Sequence, residues 1–285
     1  MSSSYLQFRR RFTDYLATVV AAGLSVIVVG ALVAIFAYLV IKGAGSVNWA
    51  FLTHPPKPVG EVGGGMANAI AGSAIILGIG SGIGIPFGIG AGIYLAEYGR
   101  NRLGALVRFT ADVLNGVPSI VIGLVAFSLV VMRQGHFSAF AGGVALAIMM
   151  VPMVARTTEE MLMLVPQAVR EAAFGLGVPQ WRTTVSITLA TARAGILTGI
   201  MLAFARIAGE TAPLMFTALG NQFWSFSPNQ PIAAVPLQIY TYALSPYDDW
   251  HRQAWAGALI LVALIVGTIA LVRYLFGRSV LREVS

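Results

Sequence analysis

Long apolar stretches alternate along the chain with short polar segments. An α-helix needs about 20 mostly apolar residues to cross the hydrocarbon core of a bilayer. Six stretches satisfy this requirement, with approximate limits at residues 16–41, 66–95, 104–132, 137–156, 194–218 and 254–276. The pattern therefore predicts an all-α polytopic membrane protein with six transmembrane helices.

Composition supports this class and excludes others. The chain is 57% hydrophobic and 10% charged, with a mean hydropathy of +0.80, whereas soluble domains carry about 25% charged residues. A net charge of +7 could suggest nucleic acid, but the charges are spread over short segments and form no patch. The chain has no cysteine, which excludes disulfides and Cys-ligated zinc.

Lysine and arginine residues predict the orientation, because cytoplasmic segments of membrane proteins carry an excess of them. With the N-terminus inside, four lie outside: Lys42, Lys57, Arg133 and Arg252. Thirteen lie inside: Arg9, Arg10, Arg11, Arg100, Arg102, Arg108, Arg156, Arg170, Arg182, Arg193, Arg273, Arg278 and Arg282. Residues 1–15 and 277–285 are therefore expected in the cytoplasm. The first apolar stretch exceeds the ~7–15 residues of a signal-peptide core, so we expect it to be a true span.

The second predicted span contains a stripe of glycines at every fourth position. Its members are Gly80, Gly84, Gly88 and Gly92, with Gly78, Gly82 and Gly90 beside them. Small residues at this spacing let a second helix approach closely. Pro86 lies inside the stripe and removes a backbone donor, so a bend is expected there. The stripe indicates either tight helix packing or a flexible, moving element.

Two charged residues, Arg206 and Glu210, lie inside the predicted span 194–218. A charge near the centre of a bilayer costs roughly 2.5–3.5 kcal/mol, and residues four apart share one face of a helix. That face must meet protein or water. One interpretation is a structural or gating ion pair. The other is an anion path in which the Arg206 guanidinium binds oxyanion oxygens, Glu210 holds the arginine and Thr211 contacts the anion.

Other polar residues near the spans have local interpretations. Pro213 cannot donate to the carbonyl of Gly209, so these two residues are expected to form a weak point in the helix. Asn115 is expected to hydrogen-bond to a neighbouring helix. Asp112 is expected near the inner surface, where Arg108, four residues earlier, could neutralise it.

Two hydrophilic stretches are long enough to have structure of their own. In the inner stretch, 157–193, Pro166 should separate two short amphipathic helices, and Gly177 with Pro179 should end the second, on which Arg170 and Glu171 are expected to be exposed. The outer stretch, 219–252, is rich in proline and aromatic residues. It could cap a pore or contact an extracytoplasmic partner.

Several motifs resemble a known family. Glu171-Ala172-Ala173 followed by Gly177 has the spacing of the EAA loop of ABC-importer permeases, although Ala190 replaces the usual proline. The chain further resembles the PstA-type permease subunit of the Pst phosphate ABC transporter. The residues that carry this resemblance are Asp112–Ile120, Thr158–Met161, Arg206–Leu214 and Asn221–Trp224.

The resemblance implies a type I ABC-importer permease fold with both termini inside, in a bacterial plasma or inner membrane. It implies that the anion carried along a path of Arg206, Glu210 and Thr211 is phosphate. It also implies a coupling loop that docks into an ATPase through Arg170, Glu171, Ala172, Ala173 and Gly177. The implied partners are a PstC-type permease in a heterodimer, two copies of a PstB-type ATPase, a PstS-type phosphate-binding protein and membrane lipid.

The sequence contains no motif for covalent chemistry. Neither Lys42 nor Lys57 completes a Gly-Lys-Ser/Thr phosphate loop, so ATP and magnesium are expected on partner subunits, and neither a cofactor nor a metal on this chain. His54, His136 and His251 are expected to be surface residues. Alternatives remain at this stage: a permease for sulfate, molybdate or phosphonate, an ATP-independent secondary carrier or channel, and an intramembrane hydrolase.

Overall fold

The computed structural model describes residues 2–61 and 63–281. Parts of the expected cytoplasmic termini, residue 1 and residues 282–285, lie outside the described residues. Apart from an isolated bridge between Leu219 and Ile232, the regular structure in the described ranges is helical. The helices, in chain order, are α1 Ser2–Gly43, α2 Trp49–Thr53, α3 Ala67–Glu97, α4 Arg102–Gly116, α5 Ser119–Gln134, α6 Ala139–Met163, α7 Gln167–Gly175, α8 Gln180–Ala208, α9 Ala212–Met215, α10 Val235–Ala243 and α11 Asp248–Leu281.

Among the described residues, α1, α3, α6, α8 and α11 are each long and apolar enough to cross a membrane, and α4 with α5 forms a sixth candidate span. These helices confirm the prediction of an all-α, multi-spanning membrane protein. The first, second, fourth and sixth predicted stretches each lie largely within one helix.

The third predicted span, 104–132, is not one straight helix. The axes of α4 and α5 differ by 108°, and the break falls at Val117 and Pro118. Val117 is extended, with φ −68° and ψ 132°, because a following proline disfavours the helical conformation of the residue before it. Average hydropathy did not locate this bend, because the two helices together are apolar enough to pass as one span.

The segment that connects the fourth and fifth spans is shorter than the predicted inner stretch 157–193. Helix α6 continues to Met163 and α8 begins at Gln180, so only residues 164–179 connect the two helices. Polar residues remain helical at these ends because their side chains have partners. The hydroxyls of Thr183 and Thr184, for example, donate to the carbonyls of Pro179 and Gln180. The fifth span is correspondingly shifted, and α8 ends at Ala208 instead of continuing to 218.

Helices α3 and α6 pack against each other along the glycine stripe. A Cβ added to Gly88 would lie 2.6 Å from the Cβ of Val154, and one added to Gly92 would lie 2.5 Å from the Cβ of Thr158. Gly80 and Gly84 meet the next side chains along α6 in the same way. Helix α3 continues through Pro86. The neighbouring glycines Gly78, Gly82 and Gly90 have nothing within 4 Å of an added Cβ.

The main hydrophobic core surrounds this helix pair. Ile76 of α3, Met150 of α6, Ile207 of α8 and Leu214 of α9 all contribute buried side chains to it. Helix α1 lies at the periphery, where the ring of Tyr38 meets Trp255 of α11 edge to face at 5.2 Å.

Helix α10 covers the end of the bundle opposite α7. The backbone N–H of Val235 donates to Oγ of Ser73 over 2.8 Å, which ties the start of α10 to α3. Tyr242 stacks on Trp250 with ring centroids 4.6 Å apart. Burial raises the pKa of the Tyr242 hydroxyl, although a hydrogen bond with Gln238 opposes this shift, so the hydroxyl stays protonated at neutral pH.

The α3–α6 contact predicts different effects of alanine at neighbouring glycines. Both Gly88→Ala and Gly90→Ala gain helix propensity, worth up to about 1 kcal/mol. Only Gly88→Ala forces a methyl group against Val154, and overpacking costs roughly 1–3 kcal/mol. In thermal unfolding of the detergent-solubilised chain, the melting temperature of Gly90→Ala should therefore be higher than that of Gly88→Ala. Equal melting temperatures for the two variants would contradict this packing.

Candidate functional site

Arg206 lies on an open face of α8, near its C-terminal end. The side chains of Thr191, Thr198, Leu202 and Arg206 form an exposed row along this helix, and Leu202 is 66% exposed. The threonine hydroxyls donate to the carbonyls of Ile187 and Ala194 in the preceding turn. Arg206 thus points away from the core of its own subunit and presents a positive charge on that surface.

Glu210 does not share the helix face of Arg206. Helix α8 ends at Ala208, with Gly209 as its C-terminal cap, so the chain leaves the helix before Glu210. Within the described ranges, Arg206 and Glu210 form no ion pair with each other. The structural ion pair, one of the two interpretations of this spacing, is therefore not present in the isolated subunit.

The break after α8 is held in place by close packing. Pro213 packs against Gly123 of α5, where an added Cβ would lie 2.7 Å from the Pro213 Cα. Oγ1 of Thr217 donates to the carbonyl of Pro213 over 2.7 Å, and the backbone N–H of Ser138 donates to the carbonyl of Thr217 over 3.0 Å. Glu210 and Thr211, which are half-buried, therefore lie on an ordered interruption between α8 and α9.

A network of ion pairs joins α4 to α6 at the end of the bundle that bears α7. Glu159 is only 1% exposed, and its two carboxylate oxygens pair with Nε of Arg108 and, at 2.7 Å, with Nη1 of Arg156. Nε of Arg156 also lies 3.0 Å from Oδ1 of Asp112. The predicted neutralisation of Asp112 by Arg108 is wrong, since Arg156 is the partner of Asp112 and Arg108 pairs with Glu159.

Arg108 also caps the C-terminal end of α3. Its Nη1 and Nη2 donate to the carbonyls of Gly99 and Leu95, each over 2.8 Å. These carbonyls would otherwise lack intrahelical partners, and a positive charge is favourable at a helix C-terminus. One guanidinium group thus connects α3, α4 and α6.

Helix α7 has one face towards the protein and one towards solvent. Arg170, expected to be exposed, is only 19% exposed because Nη1 lies 2.8 Å from Oε1 of Glu97, and Nη2 donates to the carbonyl of Leu162. Ala173 is buried, whereas Glu171 and Ala172 are exposed. Gly177 follows the helix in the left-handed conformation, with φ +78°, which favours glycine.

The solvent face of α7 and its flanks is unusually apolar. Phe174 is 47% exposed and Leu176 is 85% exposed. Leu164 and Trp181 are also exposed, on the segments that flank the helix. A cluster of this kind marks an interaction surface. We refer to Leu164, Glu171, Phe174, Leu176 and Trp181 as the coupling surface.

Two structural residues were not identified from the sequence. Glu97 follows a run of apolar and small residues, and Glu159 follows Arg156 and two threonines. Both resemble ordinary helix-terminal charges. An acidic residue placed after a glycine-striped span could have suggested a partner in the inner loop.

The hydrogen bond expected from Asn115 is also missing, since its Oδ1 is buried without a partner among the described residues. No cluster of three His, Asp or Glu side chains in the described ranges could hold a metal ion.

Replacement of Glu159 should destabilise the subunit much more than replacement of its neighbour. Glu159→Gln removes the charge that pairs with two arginines, and breaking a buried ion pair costs roughly 3–5 kcal/mol. The partial exposure of Arg108 and Arg156 lowers the expected loss to the bottom of that range. Glu160→Gln, at an exposed position, is the matched control. The melting temperatures of both variants are measured in detergent. Equal decreases for Glu159→Gln and Glu160→Gln would contradict a stabilising role of the Glu159 ion pairs.

The chain is similar to known membrane transport components. The family model described as "Binding-protein-dependent transport system inner membrane component" matches residues 84–283. A chain of the MetNI methionine ABC transporter, solved in inward-facing conformations, has the same fold, with a TM-score of 0.59 at 17% identity, over 77% of this chain and 97% of that chain.

Curated relatives are similar over most of their length. The phosphate transport system permease protein PstA of Yersinia pestis is 49% identical over 84% of this chain and 82% of its own length. PstA of Xylella fastidiosa (strain 9a5c) is 50% identical over 79% and 78%. PstA 1 of Mycobacterium tuberculosis (strain CDC 1551 / Oshkosh) is 41% identical over 74% and 70%. The chain therefore belongs to the PstA family of phosphate transport system permease proteins.

Proposed function

We propose that this chain is the transmembrane permease subunit of a bacterial, ATP-driven importer of inorganic phosphate. It forms half of the translocation path and carries out no covalent chemistry. The observation that carries this proposal is the placement of Arg206 on an open face of a membrane-length helix in a chain of the PstA family. The names of the curated relatives supply the substrate.

The position of Arg206 is consistent with an anion path. An arginine at membrane depth is costly unless protein or water covers it, and its own subunit leaves Arg206 exposed. The open face of α8 must therefore meet a second permease subunit or an aqueous path. A guanidinium group matches two oxygens of a phosphate ion. Glu210 and Thr211, at the adjacent break, can contact or repel the ion at the same depth.

The coupling surface is suited to an ATPase subunit. It exposes Phe174 and Leu176 beside the charge of Glu171, on the side where the positive-inside distribution expects cytoplasm. The chain lacks a phosphate loop, so ATP and magnesium belong on the partner. This docking role comprises Glu171, Ala172 and Gly177, with Arg170 and Ala173 on the protein-facing side of the same helix.

The complete importer would contain four kinds of subunit. A PstC-type permease pairs with this chain in a heterodimer, two PstB-type ATPases bind the cytoplasmic side, and a PstS-type binding protein delivers phosphate from outside. The segment 219–252, with α10 and the exposed rings of Phe223 and Trp224, offers a surface for that delivery. The assembly resides in the bacterial inner membrane, where lipid covers α1.

Removal of the Arg206 guanidinium should abolish phosphate uptake. In membranes that contain the complete importer, Arg206→Ala is expected to lower the rate of radiolabelled phosphate uptake at least tenfold. Arg206→Lys should restore little activity, because an ammonium group cannot form the bidentate contact. Both variants should still fold and reach the membrane, since Arg206 is exposed on its own subunit.

Arg133→Ala, at an exposed arginine in the last turn of α5, is the matched control and should retain uptake. Full uptake by Arg206→Ala would refute the path role. Loss of the variant from the membrane would favour a structural role. Uptake of labelled sulfate, molybdate or phosphonate by the wild-type importer, with no uptake of labelled phosphate, would reassign the substrate.

Substitution of Glu171 in the coupling surface, or of Gly177 beside it, should separate ATP hydrolysis from uptake. Glu171→Ala and Gly177→Ala are expected to reduce phosphate transported per ATP hydrolysed, because the first removes an exposed charge and the second strains a left-handed turn. Both rates are measured on the purified importer in liposomes. Uptake that persisted without any functional ATPase would contradict an ATP-driven mechanism.

A further inference from the structure

We propose that Arg170 and Glu97 form a positioning pair, which fixes α7 to the α3–α6 helix pair. A displacement of α7 then enters the membrane through α3 and α6 as well as through α8, the helix that follows it in the chain. This inference rests on the proposed coupling function of α7. It assigns a role to Glu97 and separates the role of Arg170 from that of the neighbouring Glu171.

The guanidinium of Arg170 connects three helices. Its Nη1 lies 2.8 Å from Oε1 of Glu97, the last residue of α3, and its Nη2 donates over 2.7 Å to the carbonyl of Leu162 in the last turn of α6. The carboxylate of Glu97 is only 7% exposed. A shielded ion pair is weakened less by solvent and salt than a surface pair, so this connection can transmit force between helices.

The connection from α6 to α7 is short and packed. It comprises only residues 164–166 between the two helices. Val165 is 7% exposed, and its N–H donates to the carbonyl of Leu162. Its side chain joins a buried cluster with Leu162 of α6 and with Ala192 and Ile196 of α8. The start of α7 therefore has little freedom relative to either helix.

The connection from α7 to α8 is more exposed to solvent. Leu176 and Gly177 are exposed, and an added Cβ at Gly177 would meet nothing within 4 Å. Beyond this turn, α8 contains a π-helical turn at Thr184–Thr188 before its membrane-embedded part. A π-helical turn interrupts the regular hydrogen-bond ladder and is a common site of bending. Motion directed along α8 would be partly absorbed there.

Helices α3 and α6 have no comparable slack. The Cβ contacts at Gly84, Gly88 and Gly92 leave no room for one helix to slide past the other. Tight packing transmits displacement, since protein interiors have low compressibility.

A cleft of about 600 Å³, lined by Glu97, Arg170, Glu171 and Phe174 among others, lies beside the Arg170–Glu97 pair. Arg170 thus faces its own subunit, whereas Glu171 is left exposed.

A double-mutant cycle tests this assignment in the complete importer. Glu97→Ala, Arg170→Ala and the double variant should each lower phosphate uptake by the same factor, at least fivefold, because all three remove one interaction. ATP hydrolysis and co-purification of the ATPase should persist. If Arg170 instead contacted the ATPase, Arg170→Ala alone would release that subunit and Glu97→Ala would be harmless. Either that result or additive losses would overturn the proposal.

Matched controls distinguish the pair from general charge effects. Glu160→Ala and Arg102→Ala remove exposed charges at the same end of the bundle and should leave uptake within twofold of wild type. Losses equal to those of the pair would overturn the proposal. Melting temperatures of all variants are measured in detergent. If an alanine variant fails to fold, Glu97→Gln and Arg170→Lys replace the alanines in the cycle, with the same criteria.

A cross-link provides the complementary test, since the chain contains no cysteine. Glu97→Cys combined with Arg170→Cys should lose uptake, and a bifunctional thiol reagent that joins the two sites should restore it, reversibly with reductant. Failure of a verified cross-link to restore coupling overturns the proposal. If the wild-type importer takes up no phosphate, the substrate assignment fails instead. The pair is then tested by measuring how strongly the substrate-binding protein stimulates ATP hydrolysis in each variant.

Discussion

The close contact between α3 and α6 is the constraint on which the arrangement of the other helices depends. Gly88 and its fellow members of the stripe let the two backbones approach until side chains such as Val154 fill the space where a Cβ would stand. The remaining elements are attached to this pair. Arg108 attaches α4, Arg170 attaches α7, and the core around Ile207 and Leu214 attaches α8 and α9. A membrane supplies no hydrophobic drive between helices, so close packing has to supply the cohesion.

Ion pairs near the helix ends also connect neighbouring helices. The acidic residues Glu97 and Glu159 lie near helix ends, and each forms an ion pair with arginine. Such pairs have a small net effect on stability, but removal of one partner is costly, so they specify which helices belong together. Arg206 differs because it lies in an apolar helix, is exposed on its own subunit and has no acidic partner among the described residues. Its charge therefore faces the open surface of α8.

Hydropathy was sufficient to predict the fold class and most spans, because burial in lipid requires long apolar stretches whatever their contacts. The glycine stripe likewise predicted a packed face. Hydropathy could not distinguish the bent α4–α5 pair from a straight span, since the bend depends on the backbone conformation at Val117. It also missed the partners of Arg108 and Arg170. Those partners are separated by up to 73 positions in sequence, as for Glu97 and Arg170, and nothing local indicates such a pairing.

The end of α8 has a consequence for how strongly Arg206 can hold an anion. A helix C-terminus carries roughly half a negative elementary charge from its aligned peptide dipoles, and Arg206 lies in the last turn before Gly209. The carbonyl groups of that turn partly offset the guanidinium charge. An anion at this position would meet a shallow electrostatic well. A shallow well lets a transporter release its ion quickly at each turnover. A deep well would hold the ion and slow transport.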